Sequence, residues 1–398
     1  KIMRMKKIVG GFLCLLLLVG CQSAKRNPAM DLMRSASYLE DYDVQIGYEN
    51  AEGCFFKYHS VYYMNLGGWV YYYDTQSEQG GKVCGKVECS HDTVECNAYL
   101  GITVPGIQVY NGKLYWISGV LNRMDLDGNN RESCGVVDGM SVLNPRMYLH
   151  RGSLYTCIIT AEAESGANSS TVRIMRYDLD DLSVPAEEVF TQSYTYTTGY
   201  RCRFYRNQLY IMIDEPMNLD IGHMQYNRSL YMYDIVSKEL KTVWSTVDYS
   251  RTRSICVTED GLEFMNYNTD GAYVYANTED TWRVWRSSYH CDTQEMEQHE
   301  SHIMEPGYTV VYWVYEHYIA FRSTLTETGE TVLYRIYDED WDLLGEGALV
   351  GHPTVVGADE RGVLVDTNRG GGEGVALYQI SWTNLNAPQK LMEHVFTV

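Results

Sequence analysis

Three cysteines and one histidine fall within thirteen positions, in the order Cys84-x4-Cys89-x-His91-x4-Cys96. Thiolates and imidazoles are the donors that a structural zinc ion takes four at a time. The spacing departs from the Cys-x2-Cys pairs of small zinc folds. In an oxidising compartment the same sulfurs would be drawn into disulfides instead. Three cysteines cannot all pair among themselves, so full pairing would need Cys54 or a distant thiol. Three readings stand at this point: a structural zinc on Cys84, Cys89, His91 and Cys96, a disulfide clasp, or free buried thiols. In each of them the segment holds a loop in place and is not a catalytic centre.

The compartment is indicated by the first residues. Lys6 and Lys7 precede an uncharged run, residues 8–20, reading IVGGFLCLLLLVG. Such a run is too short to span a bilayer as a helix, which takes about twenty residues. A basic start followed by a short apolar core has the form of a secretory signal. The run ends in Leu18-Val19-Gly20-Cys21, which resembles the lipobox of bacterial lipoproteins. That resemblance implies cleavage before Cys21 and acylation of its thiol and amine. The expected division is a signal over 1–20, a flexible tether over 21–50 and a folded domain over 51–398. The expected location is extracytoplasmic, lipid-anchored to the cell membrane.

Charge is compatible with that location. Residues 1–20 hold four of the 32 Lys and Arg residues and none of the 52 Asp and Glu, which leaves 28 against 52 and a formal charge of −24. A surface of that sign repels phosphate backbones, so nucleic acid is excluded as an expected partner. Cysteine count adds one constraint. Of the eleven cysteines, Cys14 would leave with residues 1–20, and nine remain besides Cys21, an odd number, so at least one is unpaired.

The elements that must position these residues are repetitive. HSVYYM is followed by WVYYYD, NGKLYW by RMDLDG, RGSLYT by IMRYDL, and RNQLYI by LYMYDI. Looser copies are DGLEFM with WRVWRS, EHYIAF with LYRIYD, and RGVLVD with VALYQI. Short runs rich in Tyr, Val and Ile between Gly, Asn and Asp turns read as antiparallel β-strands. The third unit shows four such strands, PRMYLH, SLYTCIIT, TVRIMRYDL and EEVF. Repeats of this size with four strands each predict an all-β chain, a β-propeller of seven four-stranded blades, with six or eight as alternatives. The 35 tyrosines then serve mainly as packing between blades.

The NGKLYW…LNRMDLDGNN unit resembles the repeats of TolB-type and low-density-lipoprotein-receptor-type β-propellers. The cysteine segment, behind a first blade and a lipobox, resembles uncharacterised surface lipoproteins of Gram-positive anaerobes. The likeness runs from about Ala51 to the C-terminus. It implies a fold and leaves function open, since propellers carry both enzymes and binding modules.

Other motifs are weaker. Asp125-x-Asp127-Gly128-Asn129 resembles the start of a calcium loop but lacks the distal Glu, and reads as a tight turn. Glu295-x-Glu297-x-His299-Glu300-x-His302 is not HExxH and reads as a solvated connector. Gly370 to Gly372 lacks a following Lys-Ser/Thr and reads as a hairpin tip. No nucleophile elbow is present. Insertions near 161–170, 215–227 and 268–281 are expected on one face of the ring, placing Asp214, Glu215, Tyr226, Asp270, Tyr273, Tyr275 and Trp282 at a common rim. The expected function is non-catalytic recognition of an extracellular glycan or protein by a monomer. A glycan-acting hydrolase or lyase is the alternative, so whether the chain is an enzyme stays open.

Overall fold

The computed structural model describes residues 32–35, 37–43, 47–48, 55–101, 104, 106–137, 146–161, 169–196, 199–217, 224–268, 283–305, 307–326, 329–368 and 374–395. The chain is all-β and forms seven antiparallel sheets in sequence order, the blades of a propeller. Blades 1 to 7 occupy residues 55–82, 107–136, 146–194, 199–248, 250–303, 308–350 and 352–395. Each blade is a meander of four consecutive strands, so the ring closes without a shared strand.

The repeated sequence phrase has a simple physical basis. Its aliphatic or aromatic step lies on the second strand of each blade. Tyr62, Tyr155, Ile319 and Leu364 there have no exposed surface. These side chains fill the space between neighbouring blades, as where Tyr155 meets Phe204 of the next blade edge to face at 4.9 Å. The recurring Asp ends the third strand. Its carboxylate accepts backbone N–H groups of the turn that follows: Asp74 from Gln76, Asp178 from Asp180, and Asp234 from Val236 and Ser237. That Asx turn is why the acid recurs where the chain must reverse.

Closure between blades 7 and 1 relies on side chains. The Tyr62 hydroxyl donates to Asp359 Oδ2 at 2.6 Å, Lys57 Nζ lies 3.0 Å from the same oxygen, and Arg361 Nη1 donates to the Thr75 carbonyl at 3.0 Å. Arginines lace other blade boundaries by donating to backbone carbonyls of the next inner strand. Arg203 Nε reaches Ile255 O at 2.8 Å, and Arg201 Nε reaches Arg253 O at 3.2 Å.

Two sequence expectations are corrected. Residues 295–302 are not a connector. They belong to the outermost strand of blade 5, Glu295–Ile303, whose exposed edge position tolerates a polar sequence. Nor is the whole of 21–50 a free tether. Residues 32–35 and 37–43 dock across the turns that join first and second strands, and Gly47–Tyr48 pairs antiparallel with Val257 and Cys256 of blade 5's inner strand. The docking centres on Arg151, whose side chain is wholly buried. Its guanidinium donates to both oxygens of Asp43, at 2.6 and 2.9 Å, and to the carbonyls of Ser35 and Ser37, at 2.6 and 2.9 Å.

His150, beside this pair, makes the docked region acid-sensitive. Its Nε2–H donates to the Arg206 carbonyl at 2.7 Å and its ring lies against Phe204, with Asp43 and Arg151 as the charged groups facing it. Burial pushes its pKa down to about 4. The unfolded chain takes up a proton near pH 6.5 that the folded chain refuses, so stability falls as pH drops from about 6.5 towards 4. The loss should reach about 3 kcal/mol at the lower end. Chemical denaturation across that range should show the slope, and His150→Gln should flatten it.

Candidate functional site

The loop between blades 1 and 2 brings the four donors together. One ligand atom from each of Cys84, Cys89, His91 and Cys96 lies within 4.8 Å of every other. The Cys96 Sγ to His91 Nδ1 distance is 3.5 Å. Tetrahedral zinc with ordinary Zn–S and Zn–N bonds would set that separation at about 3.5 Å and each S···S at about 3.8 Å. The donor set and its spacing in space therefore fit a structural zinc, with a small contraction of the wider pairs.

Local structure explains how an irregular spacing achieves this. Cys89 N–H donates to Lys86 O, and Cys96 N–H to Thr93 O, so two tight turns bracket the histidine. His91 takes φ of 59°, a left-handed conformation that a β-branched residue would resist. Strain of this kind persists where surroundings fix the residue. The segment beyond is fastened to both blades. Leu100 N–H donates to Gly68 O and Val70 N–H to Ala98 O in blade 1. Asn97 Nδ2 donates to Gly128 O at 2.7 Å, and Arg131 Nη1 to Tyr99 O at 2.8 Å, in blade 2.

The thiols do not share one acidity. Burial raises Cys84, but the amides of Lys86 and Asn97 and the thiols of Cys96 and Cys89 outweigh it and bring the pKa down to about 6. Cys96 is pushed up to about 12, first by burial and then by the Cys84 and Cys89 sulfurs, against the pull of the Ala98 amide. The surroundings thus favour the thiolate at Cys84, the state in which sulfur ligates a cation. None of the eight described cysteines is in a disulfide.

The Asp-Gly motif is a turn that supports this loop. Gly128 N–H donates to Asp125 O at 2.9 Å, and Asp127 Oδ1 accepts from Asn129 N at 2.9 Å. Gly128 has φ of 81°, and a Cβ there would sit 2.6 Å from the Cys84 Cα. Gly128→Ala should therefore displace Cys84, cost about 2 kcal/mol or more, and weaken metal retention. Competition with a chromogenic chelator, run beside thermal unfolding, checks both effects.

The expected ligand rim is reorganised. Residues 215 and 226 are strand residues, because Glu215 pairs with Asn227 and Pro216 with Tyr226. Asp214 is interior, 3.3 Å from Arg201 Nη1 and 3.5 Å from Arg228 Nε, and it also accepts from Thr252 N. Tyr226 is 1% exposed. Glu215, partly buried, accepts from Asn227. Asp214 and Tyr226 thus hold blade 4 against blade 5 and do not form a rim. Asp270, Tyr273, Tyr275 and Trp282 lie outside the described residues, as do Cys21, Cys54 and the 370–372 glycines.

A cavity of about 950 Å³ opens at the other end of the ring, lined among others by Lys57, Glu263, Arg286, Trp313, Asp359 and Glu360. It resembles an acid–base site only superficially. Asp359 and Glu360 are both held by the same Lys57 ammonium, at 3.0 and 2.9 Å. Glu263 is pushed up by burial, against the pull of Arg286 and Ser288. Ser288 Oγ donates to Glu263 Oε2 at 2.8 Å and lies 2.6 Å from His299 Nε2. A serine nucleophile needs the histidine as its proton acceptor, between it and the acid. Here the hydroxyl donates to the carboxylate directly, so the order of that triad is not reproduced.

Comparison with known proteins gives distant similarities and assigns no family. No family model matches the chain, and no curated protein matches it. Among solved structures, tricorn protease is 12% identical with a TM-score of 0.47, the match covering 91% of this chain and 36% of that one. This chain therefore spans about a third of that protein's length. A prolyl endopeptidase structure is 11% identical, covering 95% of this chain and 52% of that one, with a TM-score of 0.44. A computationally designed protein is 12% identical, covering 87% and 88%, with a TM-score of 0.42.

Proposed function

We propose that this chain is a lipid-anchored extracytoplasmic binding propeller whose first inter-blade loop is clasped by zinc. Cys84, Cys89, Cys96 and His91 would be the ligands, and the ion would supply a fixed crosslink with no catalytic step. The observation that carries the metal reading is the convergence of four soft and borderline donors on one point. Cys21 would carry the anchor, in line with the likeness to surface lipoproteins of Gram-positive anaerobes.

Recognition of an extracellular glycan or protein is assigned to the end from which the connections between second and third strands leave. In blades 3, 4 and 5 these connections span residues 162–169, 217–225 and 269–282, while the turns between first and second strands at the opposite end have two or three residues each. Loops can vary there without disturbing the ring. Probing glycan and peptide arrays with the full chain tests this. Retained, unaltered ligand that is lost when 269–282 is shortened to a tight turn supports recognition. Release of a cleaved product supports the hydrolase or lyase alternative.

A further inference from the structure

Among the described residues, 32–35 and 37–43 dock at one end of the ring. Asn111 N–H and Arg151 N–H, in the first turns of blades 2 and 3, donate to Asp41 O and Tyr42 O, each at 2.7 Å. Tyr58, beside the first turn of blade 1, donates its hydroxyl to Asp41 Oδ1 at 2.7 Å. The Arg151 guanidinium adds the contacts to Ser35, Ser37 and Asp43 already described. Gly47–Tyr48 then lies along the axis-facing edge of blade 5's inner strand. Residues 32–43 therefore lie at the end carrying the first-to-second-strand turns, opposite to the long connections.

We infer that this turn-bearing end faces the lipid bilayer and that the end with the long connections faces away from it. The inference rests on the reading of Cys21 as the lipidated residue. Only ten residues, 22–31, then separate the anchor from Leu32, a leash of at most about 40 Å. If the chain were free through residue 50, the leash would be about 100 Å and the ring could present either end. Docking removes that freedom by fixing where the leash begins. Exposed Glu40, Glu259, Asp260, Glu316 and Glu360 make the turn-bearing end acidic. Repulsion from anionic headgroups decays within about 10 Å, well inside the leash, so this end stands off the bilayer without reversing.

The test uses the full lipidated chain in phosphatidylcholine vesicles doped with a headgroup-attached energy acceptor. A fluorescent non-natural amino acid is placed at Glu259 in one preparation and at Met217 in another. These exposed positions lie at opposite ends of the ring, Met217 being 51% exposed. Greater transfer from position 259 is expected. Equal transfer, or greater transfer from 217, overturns the orientation. Arg151→Gln should bring the two towards equality, and the comparison in the unaltered chain decides the matter if that variant does not fold. Flotation separates the two ideas. A chain that fails to float with the vesicles overturns the anchoring and this orientation together, whereas a floating chain with reversed transfer overturns the orientation alone.

Discussion

Arg151→Ala is expected to cost about 3–5 kcal/mol, because it leaves the Asp43 carboxylate buried without its cation. Both side chains are at most 2% exposed, so water cannot compensate in place. The carbonyls of Ser35 and Ser37 lose their donors at the same time. The cheapest relaxation is for residues 32–43 to leave the ring and rehydrate Asp43. The loss should therefore appear in two parts: a lower midpoint in chemical denaturation, and new proteolytic cleavage between 32 and 48. Asp43→Asn, which keeps the shape and removes the charge, should also destabilise. The double variant should cost less than the two single changes added together, since the pair is coupled. Unchanged protease resistance in Arg151→Ala would contradict the docking.

Loss of the clasp should be the second large effect. Crosslinking residues 84 and 96 closes a thirteen-residue loop, worth about 3 kcal/mol of unfolded-state entropy. Cys84→Ser removes a ligand and the thiol of lowered pKa. The variant should lose metal, and cleavage should appear within 84–96, where the exposed side chains of Val87 and Val94 give little apolar burial to hold the loop. The ring should survive, since Cys84 lies only at the margin of the core between blades 7 and 1, and Cys96, which is buried in it, is left in place. Chelation of the unaltered protein should reproduce the effect, and added zinc should reverse it in the unaltered protein but not in Cys84→Ser. The mean unfolding temperature should move less than the local protection of the loop.

Much of the fold is legible in the sequence because the blade repeat is a local code. An apolar step that must be buried, followed by an Asp that must turn the chain, returns in unit after unit. Tyr62 and Tyr210 are buried, and Asp74 and Asp234 accept from the amides of the turns that follow. Where that code weakens, the reading fails for identifiable reasons. Glu295–Ile303 has the composition of a loop because an outermost strand packs little of its surface. Asp214 and Tyr226 read as rim groups because charge and aromaticity are common to ligand surfaces and to arginine-laced blade boundaries. The partner that decides between them, Arg228, is not a near neighbour in sequence of Asp214. The docked stretch carries no strand pattern at all. It is held by Arg151, by Tyr58 and by a row of backbone carbonyls, which leave a trace in residue type at Asp41 and Asp43 alone. The cysteine cluster lies between these cases. Its donors are evident, but their spacing matches no common zinc motif, and only the left-handed turn at His91 brings the imidazole to the sulfurs.

Metal analysis joined to thiol counting tests the central claim most directly. The full chain, purified without added metal, should contain one zinc per molecule. Cys84, Cys89 and Cys96 should resist alkylation until a chelator removes the ion, and all three should then react together, with His91→Ala lowering the zinc content. Metal-free protein in which these sulfurs are already joined in disulfides would contradict the account.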